Sequence, residues 1–264
     1  LPRLRWLHGG FRINVLPGDA SAAVEGLTMY DIQPYARDIT ARTGIMFTFA
    51  HEDGLTVIRA KGEGSHAAWP DGGNNAITGL LSLLCALPLA DGPCKEALKD
   101  LNTLLPHGDY LGRALGIAQE EPVAGPLTVA FTLLEVTDTG LEGRFDSRVP
   151  LCATEENCLQ VAKAAFEARG FTFEGEQDQP HHTPADSSFV QLLLQRYEEY
   201  SGLKGECLST GGGTYVHDIP GGVAFGCTLP GFEPHAHGAD ERVRISDLML
   251  SAKLFTHIII DLCT

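Results

Sequence analysis

Basic residues are scarce in this chain. Lys and Arg number 19 against 34 Asp and Glu, so the 264 residues carry a formal charge of −15. That deficit excludes the basic surface on which nucleic acid or anionic lipid docks. Long apolar runs are also missing. The longest candidate, residues 77–90, is broken by Thr78, Gly79, Ser82 and Pro88, well short of the roughly 18 apolar residues a spanning helix needs. The seven cysteines are odd in number and scattered, with no Cys-x-x-Cys pair. This argues against a disulfide framework or a cysteine-built zinc site, and for reduced thiols in a cytoplasmic setting. No Gly-x-Ser-x-Gly elbow, His-Glu-x-x-His helix or phosphate loop is present, which removes three common catalytic signatures. The chain opens Leu-Pro-Arg, with neither an initiator Met nor a basic-then-apolar leader. It therefore reads as a piece of a longer chain.

What is present is a globular composition, 44% hydrophobic and 20% charged, long enough for one large domain or two smaller ones. Residues 11–24 read as strand, turn, strand around Leu16-Pro17-Gly18-Asp19. A helix follows, with Pro34 in its first turn, Ile32, Tyr35, Ala36 and Ile39 on one face and Gly44 as its stop. Residues 45–50 and 55–61 predict two strands joined by His51-Glu52-Asp53-Gly54, and 76–87 predict a buried helix. A second cycle has strands over 127–135 and 141–149. Its helix, 155–169, is capped by Thr154, and a short strand follows at 171–174. This alternation suggests two α+β units packed helices-on-sheet. Beyond a boundary near residue 180, the pattern predicts a helix over 187–201, a buried strand over 223–227 and a final helix over 245–262.

Gly62-Glu63-Gly64-Ser65-His66-Ala67 fits a dinucleotide fingerprint loosely, but Trp69-Pro70 stands where the phosphate-binding helix should run. Three features remain. His66 lies after a strand and before a Pro-Asp-Gly-Gly-Asn-Asn loop, which suits a group that reaches a ligand; the alternative is a surface turn histidine. Gly211-Gly212-Gly213-Thr214-Tyr215 allows positive φ and converging N–H groups around an anion; the alternative is an ordinary turn. The segment 230–241, with His235, His237, Asp240 and Glu241, has the residue types of a zinc ligand with an orienting carboxylate; the alternative is a solvated loop. Arg148 at a strand end can clamp a carboxylate, or pair with the nearby Asp146.

In this order and spacing, residues 9–17, 64–70, 146–150, 211–215 and 229–241 resemble the zinc-dependent aminoacylase and dipeptidase family, within it the dipeptidase V branch. The resemblance implies an α+β/α/β protein. Residues 1–180 would be a ferredoxin-like lid of two α+β halves, and 181–264 the C-terminal part of an α/β zinc-exopeptidase catalytic domain. It implies hydrolysis of dipeptides with a free C-terminal carboxylate, at two bridged zinc ions. His66 would oppose the oxyanion, Asn14 and Arg148 would hold the substrate, Gly212, Gly213 and Thr214 would receive the terminal carboxylate, and His237 would bind zinc.

The family's other ligands and its general base lie upstream of the lid, and no His-x-Asp followed by a Glu-Glu pair stands in a suitable place here, since Glu120-Glu121, Glu155-Glu156 and Glu198-Glu199 fall inside or after the lid. On that ground the isolated chain is expected to bind zinc weakly and to turn over little. It is also expected to self-associate through an exposed sheet edge or the lid, or to be partly disordered beyond residue 180. The other readings are a non-catalytic binding or dimerisation module and an N-acyl-amino-acid amidohydrolase. The partners expected are a small peptide, with no nucleic acid and no membrane.

Overall fold

Small apolar residues alternate with polar ones along the first strands: Leu7, Ala22 and Ile58 are buried, while their neighbours His8, Ser21 and Arg59 lie on the other face. That period of two gives a sheet with one wet face. The computed structural model describes residues 1–226, 229–235 and 240–264. It contains two units, Leu1–Gln179 and Pro180–Thr264.

The first unit runs β1 (Arg3–Gly9), β2 (Val15–Leu16), β3 (Asp19–Glu25), α1 (Met29–Thr43), β4 (Met46–Glu52), β5 (Leu55–Lys61), β6 (Ser65–His66), α2 (Ala76–Ala86) and α3 (Pro93–Leu104). It continues with a small ribbon, β7 (Glu120–Glu121) and β8 (Gly125–Pro126), then β9 (Thr128–Thr137), β10 (Gly140–Arg148) and α4 (Gln160–Glu167). The long strands form one antiparallel sheet in the order β10-β9-β1-β3-β5-β4. The two α+β units read from the sequence thus share a single sheet, joined where β1 pairs with β9. On one face, Leu7, Val24, Ile58, Phe131 and Leu134 meet Ile32 and Ile39 of α1, Ile77 and Leu80 of α2, Leu98 of α3 and Phe166 of α4 in one core. On the other face, Glu142, Glu135, His8, Ser21, Arg59 and Thr48 form a polar row across five strand pairings.

Local chemistry explains most of the element ends. Thr28 and Asp31 form a capping box on α1, and Gly44 closes the helix at φ 73°. Pro34 is therefore inside the helix and not in its first turn, because the stronger Thr28 cap starts the helix earlier. Asp53 and Gly54, both at positive φ, make the two-residue hairpin turn between β4 and β5. Thr154 caps the helix before α4 through Asn157, and the chain makes one π turn, Glu155–Leu159, before α4 proper. Residues 171–174 are not a strand. Phe171 and Phe173 instead pack their rings 6.0 and 5.6 Å from Phe166, and this packing, not backbone pairing, holds the segment. The α3 helix went unread in the sequence, although Pro93 at its start and Leu98, Leu101 and Leu104 on its buried face are its signature.

The second unit packs α5 (Ser188–Ser201) against α6 (Ile245–Cys263) through Leu193, Leu254 and Ile258. Ser187 caps α5 and Gly202 ends it in the left-handed conformation. Among the described residues this unit contains no strand. Residues 223–226 of the expected strand have no regular structure, and Cys227 lies outside the described residues. Val223 and Phe225 pack on the helix pair, but a strand also needs a neighbouring strand for its N–H and C=O groups. Among the described residues no helix is long and apolar enough to cross a membrane.

The pin between the sheet and α2 is Asn75, which is fully buried. Its Oδ1 accepts from the N–H groups of Ile77 (2.9 Å) and Thr78 (3.3 Å), and its Nδ2 donates to the Phe131 carbonyl at 2.7 Å. Asn75→Ala loses the cap and leaves a buried carbonyl unpaired. It should cost about 2–3 kcal/mol, read as a lower urea midpoint.

Candidate functional site

The loop after β1 turns back at Gly10, whose φ is 78° and where a Cβ would stand 1.8 Å from the Thr132 carbonyl oxygen. Only glycine permits that approach. The chain then enters β2, which pairs antiparallel with β6 so that Val15 faces His66 and Leu16 faces Ser65. One residue further, the Ala67 N–H donates to the Asn14 carbonyl at 2.9 Å. Asn14 and His66, separated by a helix and three long strands in sequence, are thus neighbours.

This small ribbon is seated on β9. Leu16, Ala67 and Ala130 are fully buried against one another, with Tyr110 beside them. Ala130 is the cross-strand partner of Asp146, and Thr128 that of Arg148. Directly opposed residues share a face, so Asp146 and Arg148 stand on the face against which the ribbon packs. A bulge makes this possible. Leu133 pairs with Arg144 and Phe131 with Phe145, which leaves Thr132 as the extra residue. Phe131 and Val129 then point into the core, and Ala130 and Thr128 point away from it. Asn14, His66 and Arg148 accordingly gather at one end of the sheet.

The state of His66 follows from its hydrogen bonds. The Ala68 N–H donates to His66 Nδ1 at 3.1 Å. A backbone amide is only a donor, so Nδ1 is an acceptor and the neutral ring carries its proton on Nε2. The Trp69 N–H donates to the His66 carbonyl (2.9 Å) and Ser65 Oγ to the Trp69 carbonyl (3.2 Å), and the rings of His66 and Trp69 lie 5.3 Å apart. The turn is therefore tied at several points, and His66 is half-buried within it.

Arg148 makes the ion pair that its sequence neighbourhood allowed. Its Nε and Nη2 donate to the two carboxylate oxygens of Asp146 at 2.6 and 2.7 Å. Both carboxylate oxygens are engaged in this fork, and the pair is mostly shielded from solvent. The Tyr110 hydroxyl accepts from the Asn75 N–H at 3.3 Å, and burial pushes its phenol above the ordinary range. Burial likewise pushes the Cys85 thiol up to about 11, so it is packing and not a nucleophile.

The remaining candidates belong to the second unit. Gly212, Gly213 and Thr214 lie on a loop, with Gly213 and Thr214 exposed. The positive φ that the glycine run allows does not occur at Gly211, Gly212 or Gly213. The Gly212 N–H turns inward to Thr210 Oγ1 at 3.2 Å, a local turn bond that removes the need for a left-handed residue. His237 lies outside the described residues. Among those described, no group of three or more His, Cys, Asp or Glu side chains could hold a metal ion.

No family model matches the chain. It is 32% identical over 257 residues, 97% of its length, to a Bacillus subtilis (strain 168) protein named "Putative dipeptidase YtjP", and covers 54% of that protein. It is 27% identical over 255 residues, 96% of its length, to the "Beta-Ala-Xaa dipeptidase" of Lactobacillus delbrueckii subsp. lactis, again covering 54%. The chain spans about half the length of the curated relatives it matches.

Two contributors at this end of the sheet were not anticipated. Ala130 had no polar signal, and Trp69 was read as a helix-stopping neighbour of Pro70 and as part of the 64–70 segment, with no role of its own. Nitrogen-15 NMR should find the neutral form of the His66 imidazole as the Nε2–H tautomer. The opposite tautomer would contradict the Ala68 contact.

Proposed function

We propose that this chain supplies the substrate-gripping groups of a zinc-dependent dipeptidase that cleaves dipeptides with a free C-terminal carboxylate. The observation that carries the reading is the placement of His66. Its neutral tautomer carries the proton on Nε2, and the turn that holds it is bonded to the Asn14 carbonyl through the Ala67 N–H, at the sheet end that bears Arg148. A donor held in position by its own backbone costs no reorganisation when negative charge develops on a scissile carbonyl oxygen. Asn14 would orient the peptide, and Arg148 would meet its carboxylate with the guanidinium that Asp146 already holds in plane. The named dipeptidases among its relatives support the same reading.

In the second unit, the reading gives Gly212, Gly213 and Thr214 a share in carboxylate binding, and His237 a place as zinc ligand. Zinc, when bound, supplies a polarised carbonyl and an activated water. The described residues do not build a metal site, so the groups assigned here are those that bind and orient.

The test is a panel of dipeptides and their C-terminal amides, incubated with the protein and zinc and followed by release of free amino acid. Where turnover is too slow to read, calorimetry measures binding of the same pairs. Free acids should be preferred over amides by at least about a hundredfold. His66→Ala should lower kcat about 10²–10³-fold with little change in KM. Equal handling of acids and amides, or neither cleavage nor binding of any dipeptide, refutes the reading.

A second reading, pairing of chains, is favoured by α6. Ile245, Leu248, Met249, Ile259 and Leu262 are each at least half exposed on this helix, an apolar surface that water disfavours. Sedimentation should then show dimers or larger species that dissociate when Met249 and Ile259 are replaced by Glu. A monomer at tens of micromolar counts against it.

A further inference from the structure

We infer that Trp69 determines substrate specificity, presenting its indole to an aliphatic or aromatic side chain of the bound peptide. The inference rests on the dipeptidase reading above and adds to it the class of substrate.

Trp69 is 56% exposed, between the buried Ala68 and Pro70. Tryptophan is the side chain with most to gain from burial, and here the fold leaves it outside. Its exposure is not looseness. The backbone is bonded on both sides of the ring, through the Trp69 N–H to the His66 carbonyl and through Ser65 Oγ to the Trp69 carbonyl. Pro70 then begins a 3-10 turn, Pro70–Gly72. The ring is held against the imidazole of His66, at 5.3 Å and a tilt of 51°. A side chain touching the indole would therefore belong to the same ligand as an oxygen touching Nε2.

The neighbouring strand adds to this surface. Because β2 and β6 are antiparallel, the residues before β2 lie beside those after β6, as the Ala67–Asn14 hydrogen bond shows. Phe11 and Ile13, 72% and 45% exposed, occupy that stretch. Elsewhere this face carries the polar row of Glu142, Glu135, His8 and Arg59, and next to it a row of Trp6, Ala23, Val57 and Ala50 in which Ala23 and Val57 are buried. Exposed apolar groups in the ribbon region thus flank Asn14 and His66, the two groups assigned to the substrate backbone. An indole face discriminates by area removed from water, which separates Leu or Phe from Gly and leaves the charged ends to other groups.

The experiment compares wild type, Trp69→Ala and Trp69→Phe on Gly-Gly, Leu-Gly, Gly-Leu, Phe-Gly and Gly-Phe. It reads kcat/KM, or Kd by calorimetry where turnover is slow. Wild type should prefer the apolar member at one position by tenfold or more. Trp69→Ala should lower kcat/KM for the apolar substrates at least tenfold more than for Gly-Gly, and Trp69→Phe should recover most of that preference. A uniform loss on all five substrates, or an unaltered preference in Trp69→Ala, overturns the inference and leaves the dipeptidase reading standing. A wild type that neither binds nor cleaves any of the five removes both.

Discussion

The pairing of β1 with β9 governs the first unit. Leu7, His8 and Gly9 stand opposite Val136, Glu135 and Leu134 in an antiparallel ladder, and these three residue pairs join the β3–β5–β4 set to the β9–β10 hairpin. Backbone N–H and C=O groups must be satisfied wherever they are buried, so β1 cannot be left as an edge beneath α2. Once that pairing is made, β9 extends past Gly9, and its free flank is the seat for the β2–β6 ribbon. The bulge at Thr132 then turns Ala130 toward the ribbon, and Gly10 lets the chain pass within contact of the same residue.

The candidate site inherits its geometry from this arrangement at little cost in mobile parts. His66 is oriented by the amide two residues on, Arg148 by the carboxylate two residues back. Both bonds are short in sequence, so ordering them loses little additional entropy once the strands are formed. The long-range work is done by apolar contact among Leu16, Ala67 and Ala130. Small residues at Ala67 and Ala130 allow the ribbon to approach the sheet closely, and larger ones would hold Asn14 and His66 away from the end where Arg148 stands.

Much of the architecture was legible before the coordinates. The Leu55–Lys61 strand, the Gly44 and Gly202 helix stops, the Thr154 cap and the buried α2 helix all follow from residue type and period. These are short-range effects, decided within a turn or two of chain. Misreadings came where a longer-range partner decided. The Phe171–Phe173 stretch has the β-branched and aromatic character of a strand but no strand beside it, and its rings pack on Phe166. Val223 and Phe225 show the same conflict, and helices claimed them. At Gly211 to Gly213, backbone freedom was available and was not used.

The sequence by itself determined the alternation of faces, the helix caps and stops, and the candidates His66, Arg148 and the glycine loop at 211–213, with Asn14 added by the family resemblance. These depend on side-chain chemistry and local backbone preference, which any segment carries with it. Only the tertiary structure decided that Asn14 lies against His66, that Arg148 shares their end of the sheet, that Asp146 occupies part of its guanidinium, and that Trp69 faces water beside the imidazole. Those facts depend on register between strands far apart in the chain, and register is fixed by the joint burial of many apolar side chains, a property no single segment possesses.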